Sequence, residues 1–211
     1  DNRKKYGFTV IQVFLASGWA SNDVNGNPPY NNNNPTSLNA AYFDYWRFCV
    51  DLAASRGLYV ALFAGEAIRN DSPYKVSSTS QAYEHGRLLA QKFRDKPNVI
   101  WVIGQDADPA QFGLPAEYTR ALAEGVADGW NNVNNFNNSA DYSTTYMLPH
   151  APSSSAQFFH SDAWMDANGN ECWPDYADVY PTLNNDYNRT NPAKPTVMLE
   201  TMYEGTSRSI Y

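Results

Sequence analysis

Two short apolar runs in this chain each end in a carboxylate. One is Asn98-Val-Ile-Trp-Val-Ile-Gly-Gln-Asp106 and the other is Lys194-Pro-Thr-Val-Met-Leu-Glu200. Each reads as a buried strand that stops at an acid. In an α/β barrel the C-terminal strand ends open onto one face, and that face holds the active site. Two acids placed there are what glycoside hydrolysis needs. One protonates the leaving oxygen, and the other attacks the sugar carbon or activates water. If the two acids face each other across the barrel mouth, an ionised Glu200 raises the pKa of Asp106 and keeps it an acid near neutral pH. Each residue has a plainer reading as well. Asp106, shortly before Pro109, suits a turn. Glu200 continues an apolar strand and needs a partner or a purpose, which a salt bridge across the barrel mouth would also supply.

Other groups fall on the same side of the presumed sheet. Glu66 follows the apolar run Leu58-Tyr-Val-Ala-Leu-Phe63, and His150 follows Tyr146-Met-Leu-Pro149. Glu66 is a candidate for a sugar hydroxyl, with a loop carboxylate as the plainer alternative. His150 is read as a hydrogen-bond donor to substrate or to the nucleophile rather than as a general base. Trp19 and Trp164 are candidate stacking platforms, since sugar C–H faces pack on aromatic rings; each serves equally well as core. Asp108 and Glu204 are rivals of the two principal acids, and both suit turn or supporting roles better. Gly-x-Ser-x-Gly is absent, so an esterase triad has no nucleophile motif. No Cys/His cluster has zinc spacing, so neither a metal nor a cofactor is expected.

These residues need a frame that alternates. Phe8–Phe14 reads as a strand. Ala40–Arg56 reads as a helix with Phe43, Trp46, Val50 and Ala53 on one face and Gly57 as its cap. The Leu58–Phe63 strand follows. Ser80 is the expected N-cap of a helix through Phe93, which Lys96-Pro97 stops, and the strand to Ile103 comes next. Ala116–Ala127 is helical, Tyr142–Leu148 a strand, and Ala156–Met165 a segment with some helix leading to a short strand. A helix over Tyr180–Arg189 and a strand over Thr196–Leu199 complete the series. Strands alternating with helices mean a parallel sheet built from βαβ units. The Phe14-Leu-Ala-Ser-Gly-Trp19 segment lacks dinucleotide-binding spacing. The sequence thus points to a (β/α)8 barrel. With about six strands where a closed barrel has eight, and with Asp1–Gly7 reading as the tail of a helix, it looks like one partial catalytic domain over residues 1–211, lacking the first strand and the eighth unit.

Bulk properties narrow the partners. The chain has 211 residues, enough for one sizeable core, and 43% of them are hydrophobic. A net charge of −7 without a basic stripe argues against nucleic acid. No run is apolar for long enough to cross a membrane. The 15% aromatic content leans toward carbohydrate as readily as toward an aromatic core. Of the two cysteines, Cys49 is expected to fill core space, and a bond to Cys172 stays open.

The segments Asp1–Val13, Gly57-Leu-Tyr-Val-Ala-Leu62, Gly86-Arg-Leu-Leu89, Pro97–Gly104 and Lys194-Pro195…Glu200…Tyr203-Glu-Gly205, taken in order, resemble the apiosidase-like glycoside hydrolases. The resemblance implies a clan A barrel and a retaining hydrolase. Its Gly-Gly-Asp-x-x-Pro pattern falls on Gly104-Gln105-Asp106-Ala107-Asp108-Pro109, which makes Asp106 the acid/base. Its Gly-Glu-Pro-x-Tyr-Glu context falls on Leu199-Glu200-Thr201-Met202-Tyr203-Glu204, which makes Glu200 the nucleophile and places Tyr203 beside the sugar. Gln105 and Thr201 depart from the pattern. After Asp166 the match fades, with Asn168-Gly-Asn-Glu-Cys-Trp173 in place of the usual sequence. The implied substrate is a plant or microbial polysaccharide or its oligosaccharides, and the implied location is extracellular or periplasmic. The competing reading is a barrel that binds carbohydrate, or serves a surface structure, without cleaving it.

Overall fold

A computed structural model describes residues 2–17, 22–104, 106, 108–109, 113–172 and 178–201. Within them lie six strands: β1 (Val10–Phe14), β2 (Tyr59–Phe63), β3 (Val99–Gly104), β4 (Met147–His150), β5 (Asn168–Glu171) and β6 (Thr196–Glu200). The helices are α1 (Asn2–Lys5), α2 (Ala40–Ala54), α3 (Thr79–Phe93), α4 (Ala116–Trp130), α5 (Ala156–Phe159) and α6 (Val179–Tyr187). All strand pairs are parallel. One sheet runs β1-β2-β3-β4 and a second pairs β5 with β6.

Asp166 ties the two sheets together. Its carboxylate accepts from Met147 N at 2.7 Å, and its own N–H donates to Met147 O at 3.0 Å. At the far side, Gln12 Nε2 on β1 donates to Leu199 O on β6 at 2.7 Å. The strands therefore curve around a common interior, as six strands of an incomplete (β/α)8 barrel.

Alternation along each strand sorts the apolar residues into two cores. Ala61, Phe63, Val102, Leu148 and Leu199 point inward and pack on one another. Val60, Leu62, Trp101, Ile103 and Met147 point outward, where Phe43 and Val50 of α2, Leu89 and Phe93 of α3, and Leu122 and Val126 of α4 cover them. The inner face is open between β1 and β6. Val10 and Phe14 are 37% and 43% exposed there, although Phe14 still meets Phe63 edge-on at 4.6 Å.

Three expectations about the elements need correction. Helix α3 starts at Thr79, and its N-cap is Ser78, two residues before Ser80. Ser78 accepts from Gln81 N at 3.2 Å, while the Gln81 side chain accepts from Ser77 N at 2.8 Å. That exchange satisfies two donors at the helix start and outcompetes a cap at Ser80. The region from Tyr142 begins as a 3-10 turn through Thr144 capped by Asp141, and the strand starts only at Met147. Strand β5 is the short strand expected after the Ala156–Met165 segment, and its polar sequence is placed by partners instead of hydrophobicity. Both cysteines are free; Cys49 is only half-buried and Cys172 is buried.

Candidate active site

The C-terminal ends of β3, β4, β5 and β6 converge. Asp106, His150, Glu171 and Glu200 each present one donor atom, and these atoms all lie within 4.8 Å of one another. Asp106 follows β3, His150 closes β4, Glu171 closes β5 and Glu200 closes β6.

The backbone makes this convergence possible. Gly104 has φ +114°, and a Cβ there would lie 2.3 Å from His150 O. Only glycine lets β3 turn this closely against β4. Two residues later Asp106 has φ +50°, a left-handed conformation that Asp tolerates better than most residues. Its N–H donates to Nδ1 of His150 at 3.0 Å, which holds that turn in place. On the other side of the cluster the β5/β6 register slips. Asn170 pairs with Met198, but Glu171 pairs with Glu200, so β6 advances two residues for one of β5. This bulge brings Glu200 onto the same side as Glu171, where plain alternation would have turned it away.

His150 lies beneath the carboxylates, with its side chain 1% exposed and its ring edge-on to Phe63 at 5.1 Å. Because Nδ1 accepts from Asp106 N, the neutral ring carries its proton on Nε2. Nε2 stands 3.4 Å from Glu200 Oε2. The ring therefore lies between the two acids, bonded to the Asp106 backbone and 3.4 Å from the Glu200 carboxylate. Asp106 Oδ2 also faces Arg69 Nη1 at 3.5 Å. Arg69 is buried and is held by a two-pronged bond to Asp71 at 3.0 and 2.9 Å.

Electrostatics single out Glu171. Its carboxyl is pushed up to about 8, first by burial, then by the Asp106 charge, a side-chain hydrogen bond to Asp106 and the Glu200 charge. Near neutral pH this group holds its proton while sitting among acids. A cleft of about 290 Å³ opens above Glu200, lined by Gln12, Val13, Phe14, Phe63, Leu199 and Thr201. The four clustered residues also have the composition of a divalent-cation site. The tautomer argues otherwise, because the imidazole nitrogen that faces Glu200 bears a hydrogen and has no lone pair to give.

Of the residues singled out in the sequence, Asp106, His150 and Glu200 come together. Glu66 lies in a buried 3-10 turn after β2, where its charge acts on Arg69 and Tyr30. Trp164 does not border the cluster. It is 3% exposed in the main core beside Phe159, and its indole N–H donates to Asp162 at 3.0 Å. Its apolar bulk, already mostly enclosed by α5 and the β4–β5 connection, has no face left for a ligand. Trp19, Tyr203 and Glu204 lie outside the described residues. Sequence reasoning missed Glu171, Arg69 and the aromatic pair Phe14 and Phe63. Glu171 does carry a signal, as an acid that follows the short strand expected after Met165, but the polar Asn-Gly-Asn stretch hides where that strand ends.

With the geometry in hand, comparison with known proteins is informative. The model of the "Apiosidase-like, catalytic domain" family matches residues 1–210. The chain belongs to the apiosidase-like catalytic domain family. Among solved structures it is similar to a protein described as "Glycoside hydrolase", at 22% identity and a TM-score of 0.69, covering 95% of this chain and 46% of that one. It is also similar to a glycoside hydrolase family 5 protein from Bacteroides vulgatus, at 23% identity and a TM-score of 0.72, covering 95% of this chain and 44% of that one. A GH5_18 protein from Streptomyces cattleya, solved with GlcNAc, aligns at 14% identity and a TM-score of 0.52, covering 86% and 45%. At such identities the likeness establishes the fold. The chain spans less than half the length of these structures. A search of curated proteins gave no match. Within the family, the grouping of Asp106, His150, Glu171 and Glu200 at the strand ends is a glycoside-hydrolase-like cluster of acids and histidine.

Proposed function

We propose that this domain belongs to a retaining glycoside hydrolase, with Glu200 as nucleophile and Asp106 as acid/base. One observation carries the reading: one carboxylate oxygen of Asp106 and one of Glu200 lie within 4.8 Å of each other. Retaining enzymes keep their two carboxyls about 5–5.5 Å apart, whereas inverting enzymes leave roughly 6.5–9.5 Å for a water. The short gap supports direct attack by one acid.

In the first step Glu200 attacks the anomeric carbon while Asp106 gives its proton to the departing oxygen. The glycosyl ester on Glu200 then meets a water. Asp106 takes the water's proton, hydroxide adds to the sugar carbon, and Glu200 leaves as a carboxylate. His150 Nε2–H steadies the Glu200 oxygen in its ionised form before attack and after release. Arg69 and the His150–Asp106 backbone bond keep the acid aimed at the cleft. Phe14, at the rim, offers an exposed ring face for a sugar. No step needs a cofactor.

The substrate class we propose is a plant or microbial polysaccharide or its oligosaccharides, met outside the cytoplasm, in an extracellular or periplasmic setting. No helix among the described residues is long and apolar enough to cross a membrane. The test is proton NMR of the products released from a panel of such glycans in the first minutes of reaction. Retention requires the first sugar anomer to match that of the bond cleaved. The opposite anomer would replace the mechanism with inversion, and no release from any glycan would favour a non-catalytic carbohydrate-binding barrel.

A further inference from the structure

We propose that Asp106 and Glu171 work as a one-proton carboxyl pair, in which Glu171 is a positioning residue that holds the proton Asp106 delivers. The inference rests on the acid/base role given to Asp106 above and extends it to a third carboxylate.

The geometry is the first support. Asp106 Oδ1 and Glu171 Oε2 are both buried and have no hydrogen-bond donor among the described residues. Two carboxylates are acceptors only, so neither can satisfy the other while both are ionised. One proton turns one of them into a donor to the other, and their carboxyls lie close enough for that exchange. The upward push on Glu171, to about 8, agrees with this arrangement. The bulge between β5 and β6 sets Glu171 beside Glu200, so the Glu200 charge adds to the opposition against ionising both members of the pair.

The charge balance gives the pair a use. Before reaction Glu200 carries one negative charge and the Asp106–Glu171 pair carries one. When Glu200 forms its ester it becomes neutral. In the same step the pair loses its proton to the leaving oxygen and carries two. The cluster holds two negative charges throughout, so the Glu200 charge that kept a proton on the pair disappears as that proton departs. Deglycosylation reverses the change. Water gives its proton to the pair, and the ester returns Glu200 as a carboxylate.

The experiment is a pH profile of kcat/KM in the full chain for wild type and Glu171→Gln, beside 13C NMR titration of the side-chain carboxyls in both proteins. The expected result is a basic limb that moves down by about one pH unit or more in Glu171→Gln, because Asp106 then ionises against the Glu200 carboxylate alone and no longer against two. Activity on the acidic side of the profile should stay within about tenfold of wild type. In the wild-type spectra one carboxyl of the pair should still carry a proton at pH 7. A basic limb that does not move overturns the proposal while leaving the hydrolase reading intact. Both carboxyls ionised at pH 6 overturns it whatever the activity. If no glycan is cleaved, the NMR titration alone decides: a shared proton upholds the pair and only the functional reading falls.

Discussion

The N–H of Asp106 donates to His150 Nδ1 at 3.0 Å, while the other nitrogen of the same ring stands 3.4 Å from Glu200. One buried side chain thus links the two acids from below. It supports the left-handed turn at Asp106 and dictates which ring nitrogen bears the proton. We expect His150→Phe to keep the packing on Phe63 and lose both polar links. Stability in urea should fall by about 1–3 kcal/mol, the usual cost of a buried donor left without a partner. Turnover should fall with it, and KM should change little. Unchanged turnover would show that the ring does not organise the acids.

Gly104 permits the same turn. Its φ of +114° is strained for any L side chain, and a Cβ would sit 2.3 Å from His150 O, a backbone atom that cannot swing aside. Gly104→Ala should cost about 1–3 kcal/mol from the backbone conformation alone, measured as a drop in thermal midpoint. A midpoint equal to wild type would mean that β3 and β4 have room to separate.

Glu171 should make stability depend on pH. Its folded value of about 8 lies above the ordinary 4.5. Between those values the unfolded chain releases a proton that the folded chain retains, so stability declines as pH rises from about 4.5 to about 8 and then levels off. Glu171→Gln removes that decline. The variant should gain on wild type progressively across this window and show no pH-dependent gain below it. Screening trims the size of the gain, because the group is only half-buried. Urea unfolding at pH 4 and pH 8 tests this, and an equal difference at both would contradict the assignment.

Asp106→Asn removes the proton donor and leaves the backbone bond to His150 in place. Cleavage of natural glycosides should fall by about 10²–10⁴. Aryl glycosides with leaving groups that need no proton should lose far less in the first step. An equal loss on both substrate types would mean that Asp106 acts on something other than the leaving group.

How much of this was legible in the sequence depended on whether a residue's role was written locally. The strands ending at Asp106 and Glu200 are apolar runs, and helix α2 keeps its periodicity through Phe43, Val50 and Ala53, so both could be read from pattern. Strand β5 was expected only as a short strand somewhere after Met165, and its bounds could not be read. Its polar residues are held by partners elsewhere in the chain: His160 shares a hydrogen bond with the buried Asn168 at 3.0 Å, and Gly169 N donates to Ser155 at 2.9 Å. With the bounds of that strand unread, Glu171 at its end went unread too. The β6 bulge is a property of pairing and has no counterpart in one strand's sequence. Trp164 illustrates the converse. An aromatic near a strand end satisfies the sequence criteria for a sugar platform, and only the packing against Phe159 shows where its faces are spent.

The most direct test of the central claim is covalent trapping of the nucleophile. A 2-deoxy-2-fluoro glycoside with an activated leaving group slows the second step more than the first and lets the glycosyl ester accumulate. Peptide mapping by mass spectrometry should find one sugar, attached to Glu200, and none in Glu200→Gln. A label on Asp106 or Glu171 instead, or turnover with inversion and no label, would contradict the account.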